Sequence, residues 1–228
     1  MKFMIEKLKW DSDFFQIKIG EVNYEDLKSI NEKFDFDLLY VYNLSSFDFQ
    51  LENFENTFSE AKVLFTKKIA KNTDLNATIF SIDDVKFTSE DLYALAFESG
   101  KNSRFLLDNK FKLNDFQRLY KIWVDNSVSK KIADDVLIYI ENNKPIGFVT
   151  YKIKDKNATI GLIAVDSKSQ GKGIGGKLLN HLESILYQKE IKNLRIPTQL
   201  ANIQACNFYK KQGYLIKETK YIKHYWKK

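Results

Sequence analysis

The sequence predicts a globular α+β fold in which helices pack against a sheet. Two observations support this class. From residue 78 onward, strand and helix patterns alternate in the order β-α-α-β-β-β-α-β-α-β-β. Within that order, the glycine-rich segment 170–176 separates an apolar strand pattern from an amphipathic helix pattern. A hydrophobic content of 44% and a charged content of 29% are those of a soluble globular protein.

The predicted elements follow the local residue patterns in chain order. They are strand 77–81, helix 89–99, helix 114–131, strands 135–141, 146–154 and 158–165, a helix after the glycine-rich segment, strand 193–199, helix 203–212 and strands within 213–226. Ser89 is the predicted N-cap of the first helix and Gly100 its C-terminal stop. A hairpin turn is predicted at residues 142–145 and another turn at 155–157, since Asn, Asp and Pro favour turn conformations.

The first part of the chain has a strand–helix–strand pattern of its own. The predicted elements are strand 37–42, helix 49–56 and strand 61–69, in the same order as the elements of residues 193–226. We interpret residues 1–76 as a small β-α-β subdomain, a truncated half-repeat of residues 77–228. An unrelated β-α-β cap is the alternative. No Pro- or Ser-rich linker separates the two parts, so they are expected to share an interface.

Bulk composition excludes several functional classes. The net charge is +6, but acidic residues are interspersed with the lysines, so no nucleic-acid partner is expected and a small anionic ligand is favoured. No apolar run approaches ~18 residues, which argues against a membrane partner. The N-terminus has no signal-peptide core and Cys206 is the single cysteine, so a cytoplasmic location is expected. His181 and His224 have no metal-ligand spacing, and no metal is predicted.

The segment Gln170–Gly176 has the features of a phosphate cradle. Glycines allow the backbone to approach a ligand, and the N-terminus of the following helix adds free N–H groups and positive potential. The segment lacks the Gly-Lys-Ser/Thr ending of a P-loop and the full spacing of a dinucleotide fingerprint. A tight strand–helix turn without a ligand is the alternative.

A second motif lies some thirty residues further along the chain. Asn202-x-x-Ala-x-x-x-Tyr209 is followed by Gly213 and Tyr214, and Asn202 is a predicted helix N-cap. Together with Gln170-x-x-Gly-x-Gly, this helix resembles the GCN5-related N-acetyltransferase (GNAT) superfamily. The resemblance implies the GNAT fold, in which helices flank a mixed, mostly antiparallel sheet. It also implies acetyl-CoA as co-substrate.

The resemblance further implies roles for individual residues. Tyr209 is the expected general acid, protonating the departing thiolate. Asn202 is expected to hydrogen-bond the pantetheine arm or the thioester region. The remaining acetyl-CoA contacts are expected from the strand edge and the loop: Leu162, Ile163, Ala164, Val165, Gln170, Gly171, Lys172, Gly173, Ile174 and Gly175.

The sequence identifies no general base. Four carboxylates lie near predicted strand ends and are interpreted as solvated turn residues: Asp134, Asp135, Glu141 and Asp166. His181 and His224 are interpreted as structural, and Cys206 as a small buried residue. A base acting through ordered water would leave no trace in the sequence.

A narrower resemblance concerns the acceptor. Segments 10–15, 103–105, 116–123 and 194–199 are similar to the bacterial TDP-fucosamine acetyltransferases, with departures at residues 166–169 and at Phe208. The similarity implies acetylation of the amine of a TDP-4-amino-4,6-dideoxyhexose, with Arg104, Phe105 and Trp10 at the nucleotide-sugar substrate. For Arg104, an ion pair is the alternative. A homodimer through a C-terminal edge strand is also expected.

Two other functions stay open. One is a GNAT enzyme that acetylates a protein or another small-molecule amine. The other is a non-catalytic module that binds acyl-CoA. Tyr209 argues against the module, since a protein that only binds needs no proton donor.

Overall fold

The computed structural model describes residues 5–30, 35–71 and 75–228. The strands are β1 Glu6–Lys7, β2 Ile19–Asn23, β3 Leu38–Asn43, β4 Phe54–Lys68, β5 Ile79–Ser81, β6 Asp135–Glu141, β7 Lys144–Lys154, β8 Asn157–Val165, β9 Asn193–Gln199 and β10 Leu215–Lys227. The helices are α1 Lys9–Phe15, α2 Tyr24–Leu27, α3 Ser89–Ser99, α4 Arg104–Leu107, α5 Leu113–Val128, α6 Ile174–Gln188 and α7 Ile203–Lys211.

The strands form one mixed sheet in the order β1-β2-β3-β10-β4-β9-β8-β7-β6-β5. Two neighbouring pairs are parallel, β2 with β3 and β8 with β9, and the other pairs are antiparallel. The predicted α+β class with a mostly antiparallel sheet is confirmed.

Each face of the sheet has its own hydrophobic core. On one face, Leu178 and Leu182 of α6 and Tyr209 of α7 pack with Val63 and Phe65 of β4. On the other face, residues of α3, α4 and α5 pack with Tyr40 of β3 and other strand residues. Since side chains alternate along a strand, β4 contributes to both faces. The two faces are called the α6–α7 face and the α4–α5 face below.

The N-terminal part is built differently from the prediction. The helix expected over 49–56 is wrong, because residues 54–56 already belong to β4, which alternates apolar and polar side chains. Helices α1 and α4 were not predicted, since each is shorter than two turns of a helical pattern. Strand β4 lies between β9 and β10, so the first part of the chain completes the sheet. A boundary between residues 76 and 77 stays a prediction.

Other local expectations have clearer outcomes. The hairpin turn is confirmed. Asn142 and Asn143 both have positive φ, 52° and 59°, as a two-residue type I′ turn requires. The N-cap of α3 is Thr88 and not Ser89, because the Thr88 N–H and hydroxyl both donate to Asp91. The C-terminal strand is not an edge, since β10 lies between β3 and β4. A homodimer stays a prediction without that edge.

The described ranges contain neither a helix able to span a membrane nor a cluster of metal ligands. None of their helices combines the length and apolarity that crossing a bilayer requires. No three of their His, Cys, Asp and Glu residues are placed to hold a metal ion.

Candidate active site

Strands β8 and β9 separate soon after they begin. They pair at only three positions, the last joining Thr159 to Arg195. On its other side β8 stays bonded to β7, where Leu162 N–H donates to Thr150 Oγ1 at 2.9 Å and Asp166 N–H donates to Ile146 O at 2.8 Å. Because backbone groups alternate in direction along a strand, Ile163 and Val165 direct theirs toward the gap left by β9. An extended amide ligand can pair with such an edge.

The glycine-rich loop joins the end of β8 to α6 and is exposed. Gly171 and Gly173 have positive φ, 78° and 79°, and open space lies where a Cβ would stand. Among the described residues, no backbone carbonyl accepts from the N–H groups of residues 171–173. The first turn of α6 adds N–H groups that a helix cannot satisfy internally. The loop therefore offers a row of donors, with the exposed Lys172 nearby, to an anionic ligand.

Gln170 acts on the loop through its side chain. Its Nε2 donates to Val165 O at 3.2 Å, and its Oε1 accepts from Gln204 Nε2 at 3.1 Å. These bonds tie the loop to the end of β8 and to α7. Gln170 thus positions the loop, a role that its place in the motif did not reveal.

Gly175 and Gly176 let α6 approach α7 closely. A Cβ on Gly175 would lie 3.1 Å from the Phe208 ring, and one on Gly176 would lie 3.4 Å from the Gln212 side chain. Phe208, which departs from the family pattern, therefore packs where α6 has no side chain. This close packing fixes the loop relative to α7.

Helix α7 carries the second motif. Asn202 is its N-cap, since its Oδ1 accepts from Ala205 N–H at 3.1 Å, as expected. Tyr209 is 5% exposed, and its ring packs on Phe65 and Phe208 at centroid distances of 5.5 and 5.3 Å. Within the described ranges its hydroxyl has no hydrogen-bond partner. Burial raises the pKa of Tyr209, so the hydroxyl keeps its proton at neutral pH.

Gly173→Ala is expected to weaken acetyl-CoA binding about tenfold. Alanine in the left-handed region costs about 1–2 kcal/mol, and relief of that strain would turn loop N–H groups away from the ligand. Calorimetric titration with acetyl-CoA measures the effect, and Ser167→Ala, at an exposed position before the loop, should bind within twofold of wild type. Unchanged affinity of the Gly173 variant would contradict the assignment of the loop.

Comparison with known families bears on this geometry. Residues 103–214 match the model of the acetyltransferase (GNAT) family, and they include β6 to β9, the loop and α7. This segment belongs to the GNAT superfamily. The chain is also 24% identical over 138 residues to the spore coat polysaccharide biosynthesis protein SpsD of Bacillus subtilis, covering 60% of this chain and 47% of SpsD. The chain spans about half the length of the curated relatives it matches.

Solved structures show that the GNAT fold extends beyond the matched segment. A Novosphingobium aromaticivorans protein assigned to the GNAT family superposes with a TM-score of 0.56 over 84% of this chain and 75% of its own, at 8% identity. The PaiA N-acetyltransferase of Thermoplasma acidophilum, in complex with coenzyme A, superposes with a TM-score of 0.52 over 64% of this chain and 96% of its own, at 24% identity. At these identities the likeness concerns the fold.

An open cleft of about 440 Å³ lies at the end of β9, where the GNAT sheet has parted. Its lining comes from β4, from the segments around α4 and from the start of α7: Phe58, Ser59, Glu60, Ala61, Asn102, Leu107, Gln199, Leu200, Ala201 and Ile203. Leu200 N–H donates to Ala61 O at 2.7 Å and holds the end of β9 against β4. The cleft therefore lies between β4, the end of β9, the start of α7 and the segments around α4.

Arg104 begins α4, a short helix in the segment between the predicted helices 89–99 and 114–131. Its guanidinium carbon lies 4.2 Å from the centre of the Tyr40 ring. In the described ranges, no carboxylate lies within ion-pair distance of it and no acceptor bonds it. The ion-pair alternative for Arg104 is therefore not supported. Arg118 likewise stacks on an aromatic ring, that of Phe14. It differs from Arg104 in having a hydrogen-bond acceptor, Phe14 O, at 2.8 Å.

Like Arg104, the other two predicted acceptor residues, Phe105 and Trp10, are not among the residues that line the cleft. Phe105 is 6% exposed and packs among the aromatic rings of the α4–α5 face. Trp10, on α1, is 49% exposed and stacks on Phe14 at a centroid distance of 5.3 Å. A substrate contact for either stays a prediction.

Unpartnered buried polar atoms concentrate near Arg104. Of four such side-chain atoms in the described residues, three belong to the α4–α5 face: Tyr40 Oη, Glu60 Oε2 and His224 Nε2. Burial lowers the pKa of His224 to about 4, so this ring is neutral, and its Nδ1–H donates to Asp108 Oδ2 at 2.6 Å. Since buried polar groups are normally satisfied, this concentration marks a place for a polar ligand.

Sequence reasoning missed Glu60. The predicted strand began at residue 61, so Glu60 fell outside it. The alternation of Glu60 and Lys62 with Ala61 and Val63 could have extended the strand, although it could not have revealed the cleft.

Proposed function

We propose that this chain is an acetyl-CoA-dependent N-acetyltransferase whose acceptor is the amine of a nucleotide-linked amino sugar. The observation that carries the proposal is the parting of β8 and β9 directly beside a loop whose N–H groups lack partners. Membership of residues 103–214 in the GNAT superfamily supports the same chemistry. The PaiA structure, solved with coenzyme A, offers a precedent for the ligand on this fold.

The described residues suit the parts of acetyl-CoA. The loop 171–173 and the first turn of α6 would bind the pyrophosphate, and Ile163 and Val165 would bond the pantetheine amides along the gap. Asn202, whose Oδ1 is occupied by the helix cap, retains its amide N–H groups as donors. When bound, acetyl-CoA supplies the acetyl group as a thioester.

The chain's own residues then act on the reacting atoms. The edge of β8 orients the carbonyl, and one of its free N–H groups stabilises the negative charge that develops on the carbonyl oxygen. Tyr209 donates its proton to the sulfur as the C–S bond breaks. The amine reaches the carbonyl from the cleft, so donor and acceptor are held together and transfer is direct.

The acceptor class is argued from Arg104. An unpaired guanidinium stacked on an aromatic ring is well suited to a phosphate, which it can bind through two parallel hydrogen bonds. A nucleotide sugar carries a diphosphate and, in this class, an amine on the same molecule. The relative SpsD is named for spore coat polysaccharide biosynthesis, which supports a sugar acceptor.

Thiol release from acetyl-CoA tests the proposal. We expect faster release with TDP-4-amino-4,6-dideoxygalactose than with a lysine peptide, a peptide N-terminus or spermidine. A preference for a peptide or for spermidine would favour a GNAT enzyme with another acceptor. Acetyl-CoA binding without release for any amine would favour a non-catalytic module.

Arg104→Gln is expected to raise the KM for the amino-sugar nucleotide about tenfold and to leave the acetyl-CoA KM unchanged. A charge-assisted hydrogen bond contributes about 1.5–3 kcal/mol, and glutamine keeps polarity without the charge. Arg118→Gln is the matched control, because Arg118 also stacks on a ring but already has a backbone partner. A change confined to the acetyl-CoA KM would refute the acceptor role of Arg104.

A further inference from the structure

Glu60 is a half-buried carboxylate in the cleft for which no hydrogen-bond or ion-pair partner exists among the described residues. It lines the cleft between β4 and the start of α7. Its Oε2 is inaccessible to solvent and has no hydrogen-bond partner among the described residues. A buried carboxylate oxygen normally accepts hydrogen bonds from the protein or from a ligand. Its free acceptor capacity therefore suits a donor that arrives with the substrate, such as an ammonium group.

Glu60 and Tyr209 lie on opposite faces of the sheet. Phe65, against which Tyr209 packs, faces α6 and α7, whereas Glu60 is five residues earlier on β4 and faces the other way. Phe58, on the face of Glu60, contacts the ring of His224 at 5.2 Å. The gap between β8 and β9 is separated from β4 by β9, which pairs with β4 as far as Lys62 and Gln199, so Glu60 lies just beyond the end of β9. A thioester held in this gap would be accessible to an acid from one face and to a base from the other.

The charges around Glu60 come from two elements. Burial raises the pKa of Glu60, while Arg104 of α4 and Lys62 of β4 act in the opposite direction. Tyr120 of α5 also interacts electrostatically with the Glu60 carboxylate. A carboxylate with a raised pKa is a stronger proton acceptor than one in water.

Resting on the proposed acetyl transfer, we propose that Glu60 is the general base that takes a proton from the acceptor ammonium. The sequence alone indicates no residue for this role. Of the carboxylates near strand ends, Asp134 is paired with Lys152 at 2.5 Å and Asp135 accepts from Ser81 at 2.8 Å. Asp166 caps the short turn before the loop, where its Oδ1 accepts from Lys168 N–H at 3.0 Å.

The proton and electron balance is as follows. The ammonium nitrogen gives one proton to Glu60, and its freed electron pair forms the C–N bond with the acetyl carbonyl carbon. The C–S bond breaks with its electron pair on sulfur, which takes the Tyr209 proton. The nitrogen loses a second proton to water, water reprotonates Tyr209, and Glu60 returns its proton to solvent. One ammonium and one thioester give one amide, one thiol and one proton.

Glu60→Gln tests the proposal, because it keeps the shape of the side chain and removes the base. We expect kcat at pH 7 to fall about 10²-fold with unchanged acetyl-CoA affinity. The variant should use only amine that is already neutral, so its rate should rise tenfold per pH unit up to the amine pKa, near ~8. Its deficit should therefore shrink at pH 9. Glu60→Asp, which restores a carboxylate, should recover part of the activity.

Glu55→Gln is the matched control, since Glu55 lies on the same strand with an exposed side chain and should retain wild-type kcat. If wild type is active and Glu60→Gln keeps kcat within threefold, the base assignment is overturned while the proposed function stands. The base assignment is also overturned, in favour of a structural role, if the loss of kcat in Glu60→Gln does not change with pH. The same holds if that loss is accompanied by an equal loss of acetyl-CoA affinity. A wild-type protein that acetylates no amine of the panel overturns both.

Discussion

Tyr209→Phe is expected to lower kcat about 10³-fold and to leave acetyl-CoA affinity unchanged. The substitution removes one hydroxyl from a ring that already packs against Phe65 and Phe208, so the local structure should persist. Without a proton donor the thiolate must leave unprotonated, and general acid catalysis contributes about 10²–10⁴. Single-turnover thiol release at saturating acetyl-CoA measures the chemical step without binding effects.

The pH profile gives this prediction a second readout. Burial raises the pKa of Tyr209 above the ordinary value of about 10, so its ionisation should cause no loss of wild-type rate below pH 10. Tyr214→Phe is the matched control: Tyr214 is also buried beside Tyr209, but its hydroxyl donates to Glu183 Oε1 at 2.6 Å. The control should lose stability and retain kcat per folded molecule. Retention of more than a third of the wild-type kcat by Tyr209→Phe would refute the general-acid role.

Asp108→Ala is expected to lower the free energy of unfolding by about 3–5 kcal/mol, because several buried donors lose their acceptor at about 1–3 kcal/mol each. Asp108 is fully buried. Its carboxylate accepts four hydrogen bonds, from Thr57 Oγ1 at 3.1 Å, Lys110 N–H at 3.1 Å, His224 Nδ1 at 2.6 Å and Trp226 Nε1 at 3.0 Å. Removing it leaves buried donors on β4 and β10 without an acceptor. Urea unfolding followed by tryptophan fluorescence measures the change.

The exposed carboxylate Asp48 provides the control. It pairs with Lys223 at the surface, and its replacement by alanine should change the free energy of unfolding by less than about 0.5 kcal/mol. Asp108 also follows α4 directly, and its N–H donates to Arg104 O at 3.0 Å. The Asp108 variant should therefore raise the acceptor KM as well, because Arg104 loses its support. Equal stability of the two variants would refute the role assigned to Asp108.

Local sequence patterns predicted the α6–α7 face well. The loop was recognisable because glycines at fixed spacing are needed where φ is positive, and two of them have positive φ. Helix α7 was recognisable because Asn202 caps it and Gly213 follows it. Each of these features depends on residues close together in the chain, so a single sequence carries the signal.

The first seventy residues were predicted less well. The segment 49–56 combines apolar and acidic residues that suit a short helix, yet β4 begins at Phe54. Its conformation is set by pairing with β10 and β9, whose partner residues lie more than a hundred positions away. Tertiary context of this kind overrides local propensity, which is weak for short segments.

The sequence by itself predicted the loop and the capped helix of the proposed donor half, since both depend on short-range backbone requirements. The role of Tyr209 rests on the resemblance to the GNAT superfamily. For the proposed acceptor half, the resemblance already named Arg104, and the tertiary structure adds Glu60. Insertion of β4 between β9 and β10 brings Glu60 to the cleft, and α4 places Arg104 over Tyr40. No local pattern distinguishes Glu60 from the other charges on its strand. Pairing of β4 with β9 and β10 places Glu60, half-buried, beside the cleft.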